Sequence, residues 1–474
     1  MRLQTRTKIT SVTNVQLAIA TGMLFLAGGL SLIAIPANRK VNSVRVRPVA
    51  NVNQRPVAAR DTSIALASCG TPAGGWQTGK RYILTQNIVP PANNAGPCFT
   101  VTGDNITLDG QNYTVVAGGG NTAHTAIWVE ESSVNVTIQN FSISNFTEEA
   151  ILVNQNTTQI HIKNNTFVGN KKSLVMVNGN SHEIKGNTFR QGERYNPNIQ
   201  ASHRQAIELL QVQGSSVSEN RFENYLLATK ISGSSLNTFR SNTFFQNVVA
   251  VQVVNQSNSN TFVENTFDSN RLSAIILSAD VSQNNISRNT FTRNRVESPE
   301  SLGVNTVAGS NPTLYAPSGL NNINNNPVNY YTAANITVNG LRSQNNRIEN
   351  NTFTNIVSDV FSITDTQGTQ IVANELNQGV NSGIKVKNSV GLIFHQNNLK
   401  GMNVPTIFEV EGAATTGLQL SENNFCGNVT DRVVNCIHTP RNGVFVTSTL
   451  STNQLEHPVN GVCYGLFANV TSCP

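Results

Sequence analysis

The sequence predicts an all-β chain wound as a single right-handed parallel β-helix, with about 11–13 coils of about 22–24 residues each. Two recurring phrases predict this. A third observation supports them: beyond the first few dozen residues, no stretch repeats its apolar residues at the spacing of a helix.

The first phrase is an apolar residue, two variable residues, an Asn, a variable residue and then Phe or Leu, as in "IKGNTF" at 184–189. Its Asn falls at 165, 187, 220, 242, 265, 289, 351, 374, 397 and 423, in steps of 22, 33, 22, 23, 24, 62, 23, 23 and 26. The apolar residue three places earlier runs from Ile162 and Ile184 to Leu420. The second phrase is a small residue followed by two apolar residues spaced two apart: "AIWV" at 126, "AILV" at 150, "AIEL" at 206, "ATKI" at 228, "AVQV" at 250, "AIIL" at 274 and "GIKV" at 383. Spacing of two places alternate side chains on one face of a strand. Short strands at this period cannot bury their apolar faces alone, whereas stacked coils can, with backbone ladders running along the axis. Right-handed winding follows the usual hand of parallel crossovers. The leucine-rich-repeat phrase is missing, and a β-propeller blade needs a longer period.

The repeated Asn residues (Asn165, Asn187, Asn220, Asn242, Asn265, Asn289, Asn351, Asn374, Asn397 and Asn423) read as scaffold. They are expected to stack into an amide ladder at a corner, where Asn also tolerates a left-handed backbone. "GNTF", "SNTF" and "RNTF" do not form the Asn-x-Ser/Thr glycan acceptor; only the "NNT" variants do, one residue earlier.

The chain divides into a signal or membrane-anchor segment (1–37), a flexible basic linker (38–65), the β-helix (66–430) and a disulfide-containing C-terminal cap (431–474). Residues 15–35 are almost wholly apolar and follow three basic residues. They are expected to form a hydrophobic helix, either cleaved as a signal or kept as a membrane contact. Both readings carry the body out of the cytoplasm, to the medium or the cell surface. The formal charge is +6, but residues 1–63 alone hold nine basic residues and one acid, so the body is close to neutral. That balance argues against nucleic acid as a partner of the folded part. The six cysteines, Cys69, Cys98, Cys426, Cys436, Cys463 and Cys473, flank a cysteine-free middle. In an exported chain they read as disulfides: Cys69 with Cys98 at one end, and the other four among themselves. No CxxC pair suggests a metal site.

The opening "DNITLDGQNYTV" from Asp104, together with the repeated "I-x-x-N-x-F" and "A-I-x-L", resembles the right-handed parallel β-helix proteins of the pectate-lyase-like superfamily, over roughly residues 66–430. The resemblance implies the fold, and it implies a substrate groove lined by the first strand and the turn before it. That superfamily holds polysaccharide lyases, hydrolases and epimerases beside members that only bind. No cofactor is identified in the residues; calcium enters only through the resemblance, and no cluster of aspartates marks a site for it.

Departures from the repeat are where a site is expected. The steps of 33 and 62 hold insertions within 190–206 and 292–334, both between an Asn-x-Phe strand and the next first strand. Four coils, roughly 19 Å, separate their roots. Five of the eight tyrosines fall in these turns, namely Tyr195, Tyr225, Tyr315, Tyr330 and Tyr331. With Arg271 and Asp268 they are the candidate substrate contacts, since Tyr offers a flat apolar face and a polar tip. They could equally fix the long loops to the coil. On the first strands, Glu208, Lys230, Gln252 and Ile276 are expected to face outward, with Glu208 and Lys230 within ion-pair reach. A lyase needs a base and a cation, for which Lys230, Glu208, His203 and Arg204 are the candidates. A hydrolase needs two carboxylates, for which Glu208 and Asp268 are the pair available. The expected function is binding, with lyase-like processing as an extension, of a polysaccharide or surface glycan in this groove. The alternative is a non-catalytic envelope or adhesin-like protein that presents loops to a partner, with Trp128, Leu152 and Val175 on the first-strand face either exposed or covered by residues 66–100 or by a second copy.

Overall fold

The computed structural model describes residues 63–91, 96–118, 125–192, 204–295, 336–340, 342–357, 359–379, 383–404, 406–412, 414–428, 432–437, 453–455 and 470–472. The expected hydrophobic helix at 15–35 lies outside them. Among the described residues no helix is long and apolar enough to cross a membrane.

Each coil visits three parallel sheets in turn. In one coil these visits are Glu183–Lys185, Thr188–Arg190 and Gln205–Leu210. Sheet 1 has 14 strands, sheet 2 has 11 and sheet 3 has 13, and every neighbour in a sheet is the strand from the adjacent coil. Sheets 1 and 2 use mostly three-residue strands; sheet 3 uses strands of up to six. All described pairings are parallel and in register, for example Ile184↔Val217 and Phe189↔Phe222. Sheet 3 continues through Arg432–Ile437, which pairs with Thr406–Glu411.

The two phrases supply the interior. In sheet 2 the Phe of the first phrase forms one column: Phe167, Phe189, Phe222, Phe244, Phe267, Phe291 and Phe353, with neighbouring ring centroids 4.5–5.0 Å apart and planes within 8° of parallel. The coil repeat of about 4.8 Å sets that spacing, so the rings stack because the backbone stacks. In sheet 3 the paired apolar residues, such as Ile207 and Leu209, point inward and are fully buried. Thr229 takes the place of an apolar residue in this row, between Ile207 and Val251, and its buried hydroxyl has no hydrogen-bond partner among the described residues.

The Asn column forms the predicted ladder. Asn242 accepts the Asn220 backbone N–H at 3.0 Å and its side-chain N–H at 3.0 Å. It donates in turn to Val217 O at 2.8 Å and to Asn265 Oδ1 at 3.0 Å. The ladder runs unbroken from Asn165 to Asn423. It crosses the steps of 33 and 62 residues at 2.8 and 2.9 Å, so both insertions leave the coil and return to it without disturbing the winding.

Two details differ from expectation. The left-handed residue at this corner is the one before the ladder Asn: Asn164, Gly186, Glu219, Ser241, Glu264, Arg288, Asn350, Ala373, Gln396 and Glu422 all have φ between 53° and 66°. Only Gly186 is spared a Cβ penalty there, and a Cβ at that position would lie 2.6 Å from Asn164 Oδ1. The strain at the others is offset by ladder bonds such as Ser241 N–H to Val263 O at 3.2 Å. There are also two further Asn ladders at the other corners. Asn237, Asn260, Asn284 and Asn346 form one; Asn247, Asn270 and Asn294 form the other. The signal was an Asn every five residues, as in 237, 242 and 247.

The predicted Cys69–Cys98 disulfide is present at the N-terminal end. Cys426 is also disulfide-bonded; Cys463, Cys473 and the side chain of Cys436 lie outside the described residues.

Three stability outcomes follow, each read by chemical denaturation. Asn242→Ala should cost about 3 kcal/mol, because it strands the buried Asn220 N–H and the buried Val217 carbonyl of the coil before. Leu236, 62% exposed with φ at 62°, should give about 1 kcal/mol of added stability as Leu236→Gly, since the side chain packs on little and holds a left-handed backbone. His182 stands in a corner column where its Nδ1 accepts the Ile160 N–H at 3.2 Å. Burial, aided by His161, pushes its pKa down from 6.5 to about 4. Between those values the unfolded chain takes up a proton that the folded chain refuses, so stability falls as pH drops from 6.5 to 4. His182→Asn should remove up to about 3 kcal/mol of that acid loss while keeping the acceptor.

Candidate functional site

The outward side of sheet 3 is built in rows, because each coil adds one residue to each position. The middle row runs Trp128, Leu152, Val175, Glu208, Lys230, Gln252, Ile276, Thr337, Ser362, Lys385, Glu409. The sequence places Glu208, Lys230, Gln252 and Ile276 here correctly. Both insertions enter between a sheet 2 strand and a sheet 3 strand, at the start of Gln205–Leu210 and of Ile336–Asn339.

Glu208 is the electrostatic centre of this face. Its Oε1 lies 2.9 Å from Lys230 Nζ and its Oε2 lies 2.9 Å from Lys172 Nζ, while Lys172 is also 3.8 Å from Glu149. Only 6% of the Glu208 side chain and 7% of the Lys230 side chain is exposed, so this is a buried pair rather than a solvated one. Burial pushes the Glu208 carboxyl up, but the ammonium groups of Lys230 and Lys172 outweigh it and hold it below the usual carboxylate range. A carboxylate saturated by two cations is a poor proton donor at neutral pH.

Asp268 does not join it. It follows Phe267 in sheet 2 and is ion-paired with Arg293, so the two carboxylates proposed for hydrolysis lie on different sheets. Asp268 lies between the two insertions, as the sequence predicts, but the coil corner at Asn270 separates it from the face that carries Glu208.

Tyr225 is likewise not a surface platform. It is fully buried, its hydroxyl 3.0 Å from the Ser173 hydroxyl, and burial pushes its phenol pKa up. It occupies a corner where other coils place a ladder Asn, and its own N–H donates to Asn247 Oδ1 at 3.0 Å. Arg204 donates to Gln191 Oε1, and Gln191 Nε2 donates to Asn170 O at 3.0 Å. The two roots of the first insertion are therefore joined by side chains. Arg271 is buried at the turn leading into Ser273–Ser278 and has a partner. Val175 is buried and Trp128 and Leu152 are half-buried, so this strip is largely covered. His203, Tyr195, Tyr315, Tyr330 and Tyr331 lie outside the described residues.

Two features escaped the sequence reading. The side-chain oxygens of Gln205, Gln252 and Ser278 are buried on this face without a hydrogen-bond partner among the described residues. A second charged group also stands farther along: Asp359 Oδ2 lies 2.9 Å from Lys385 Nζ, with Glu409 the next residue after Lys385 in the row. Burial, with help from Glu409, pushes the Asp359 carboxyl up against the pull of Lys385. The phrase "GIKV" already put Lys385 outward; Asp359 carries no motif of its own. Among the described residues no group of His, Cys, Asp and Glu could hold a metal.

Residues 125–291 and 174–340 match the family model described as "Right handed beta helix region". No curated protein sequence matches the chain. Similar solved structures include PfbA, a surface adhesin of Streptococcus pneumoniae, at 12% identity and a TM-score of 0.42 over 69% of this chain and 83% of that one. The lidless form of DFA-IIIase from Arthrobacter chlorophenolicus A6 aligns at 13% identity and a TM-score of 0.43, over 87% and 88%. The tailspike protein of E. coli bacteriophage HK620 aligns at 10% identity and 0.44, over 86% and 71%. Three continuous parallel sheets, their shared corner ladders and the family match over 125–340 make the chain a right-handed parallel β-helix.

Proposed function

We propose that the protein binds polysaccharide along the outward face of sheet 3, over the coils from Glu208 to Ser278. The observation that carries this reading is the set of buried side-chain oxygens on Gln205, Gln252 and Ser278 that find no partner among the described residues. An unmet buried acceptor costs about 1–3 kcal/mol, so a ligand rich in hydroxyl donors recovers energy by meeting it. Successive coils offer such groups at about 4.8 Å intervals, which suits a repeating ligand. The Cys69–Cys98 disulfide supports a place outside the cytoplasm, at the cell surface or in the medium.

Binding without turnover is the form of this reading that the side chains favour. Lys230 is committed to Glu208 and would have to leave it to meet a uronate, and Glu149, the carboxylate that shares Lys172 with Glu208, is likewise engaged in an ion pair. A lyase-like route remains the alternative and has its own signature, release of unsaturated oligosaccharide.

Purified protein should be retained by at least one polysaccharide on a glycan array or in affinity electrophoresis, and Gln252→Ala should weaken that retention about tenfold, the loss of one well-placed contact. Failure to retain any polymer would sink the reading. Glu208→Gln should cost about 3–5 kcal/mol of stability by leaving the buried Lys230 ammonium uncompensated, and adding Lys230→Met should restore part of it. Turnover abolished by Lys230→Met, in protein shown to be folded, would replace the binding reading with the catalytic one.

A further inference from the structure

We infer that the ligand is an uncharged, hydroxyl-rich polymer, and that its floor continues past the second insertion as far as Lys385. This rests on the polysaccharide reading above and narrows it. Charge on the face is confined to two ends. At one, Lys172 and Lys230 are met by Glu149 and Glu208. At the other, Lys385 is met by Asp359 and Lys387 by Glu411 at 3.0 Å. Between them the middle row is Gln252, Ile276, Thr337 and Ser362, all buried and none charged. The row beside it, Ser278, Asn339 and Thr364, is uncharged too.

Arg271 and Arg295, the cations at the turns beside this stretch among the described residues, already have partners. A chain of uronates laid here would lose the hydration of each carboxylate and meet amides and hydroxyls instead of cations, a cost that ordinary hydroxyls do not carry. The unpartnered amide oxygens of Gln205 and Gln252 are acceptors, to which a hydroxyl can donate and which a carboxylate repels, while the Ser278 hydroxyl can donate or accept. The pairing Ile276↔Thr337 continues the row directly across the 62-residue step, so the second insertion does not interrupt the floor. From Lys230 to Lys385 are five coil steps, about 24 Å.

The test is binding of the full chain to neutral glucans and fructans beside polygalacturonate, alginate and hyaluronate, at low and high salt, with neutral oligosaccharides of increasing length. The expected result is binding of a neutral polymer with affinity unchanged by salt, acidic polymers at least about tenfold weaker, and a gain in affinity that continues until the oligomer spans about 24 Å. Gln252→Leu, which adds no charge and keeps the volume, should remove most of that binding, with thermal unfolding showing the fold intact. Salt-suppressed binding of the uronate polymers would overturn the inference and leave the polysaccharide reading standing. A plateau at half that length would overturn the extended floor alone, and no binding to any polymer would remove both.

Discussion

Every coil depends on closing a corner, and one side-chain amide closes it. At each ladder position an Asn accepts two hydrogen bonds from the coil before and donates one to an interior carbonyl and one to the coil after. Sharp corners expose peptide groups that the three-residue strands on either side cannot satisfy. The amide satisfies them within the stack, and because donor and acceptor sit on one planar group, each rung aligns the next. The left-handed residue before it makes the bend, at an energetic cost that the ladder offsets. Remove the amides and the Phe column would have neither its spacing nor its alignment.

That division of labour explains where function can sit. Sheets 1 and 2, with three-residue strands, are almost all corner and core. Sheet 3 alone has strands long enough to present several outward positions per coil, and it follows the turn from which both insertions spring. Its outward rows hold side chains under different rules from the interior: ion pairs buried at the ends, amides and hydroxyls between. Glu208 and Lys230 are, on this view, end markers of a floor as much as members of it.

Much of the scaffold could be read from spacing because a ladder is periodic in one dimension. The ten Asn positions, the inward pairs and the contact of Glu208 with Lys230 all follow from counting coils, and the Cys69–Cys98 bridge follows from the placing of those two cysteines together at one end of the body. What could not be read was whatever the corners decide. The left-handed position is filled by Glu, Ser, Arg, Ala and Gln alike, so composition leaves no trace of it. Tyr225 was grouped with the insertion tyrosines for its nearness to them, yet it stands five residues after Asn220, the interval that places Asn247 on the buried corner after Asn242. The same count puts Asp268, directly after a stacked Phe, on sheet 2. The unpartnered oxygens are invisible to sequence, since only three-dimensional neighbours define a missing partner.

The ladder's indifference to the 62-residue step has a consequence for folding and for change over time. Closing that loop instead of a coil of 24 residues adds less than about 1 kcal/mol of chain entropy, because the cost grows only with the logarithm of length. The rungs on either side, Asn289 and Asn351, meet at 2.9 Å, between neighbouring contacts of 2.9 and 3.0 Å. Chain inserted at this turn is thus nearly free energetically. The stacked coils can acquire, lengthen or exchange what they carry along one edge while stability stays with the ladders.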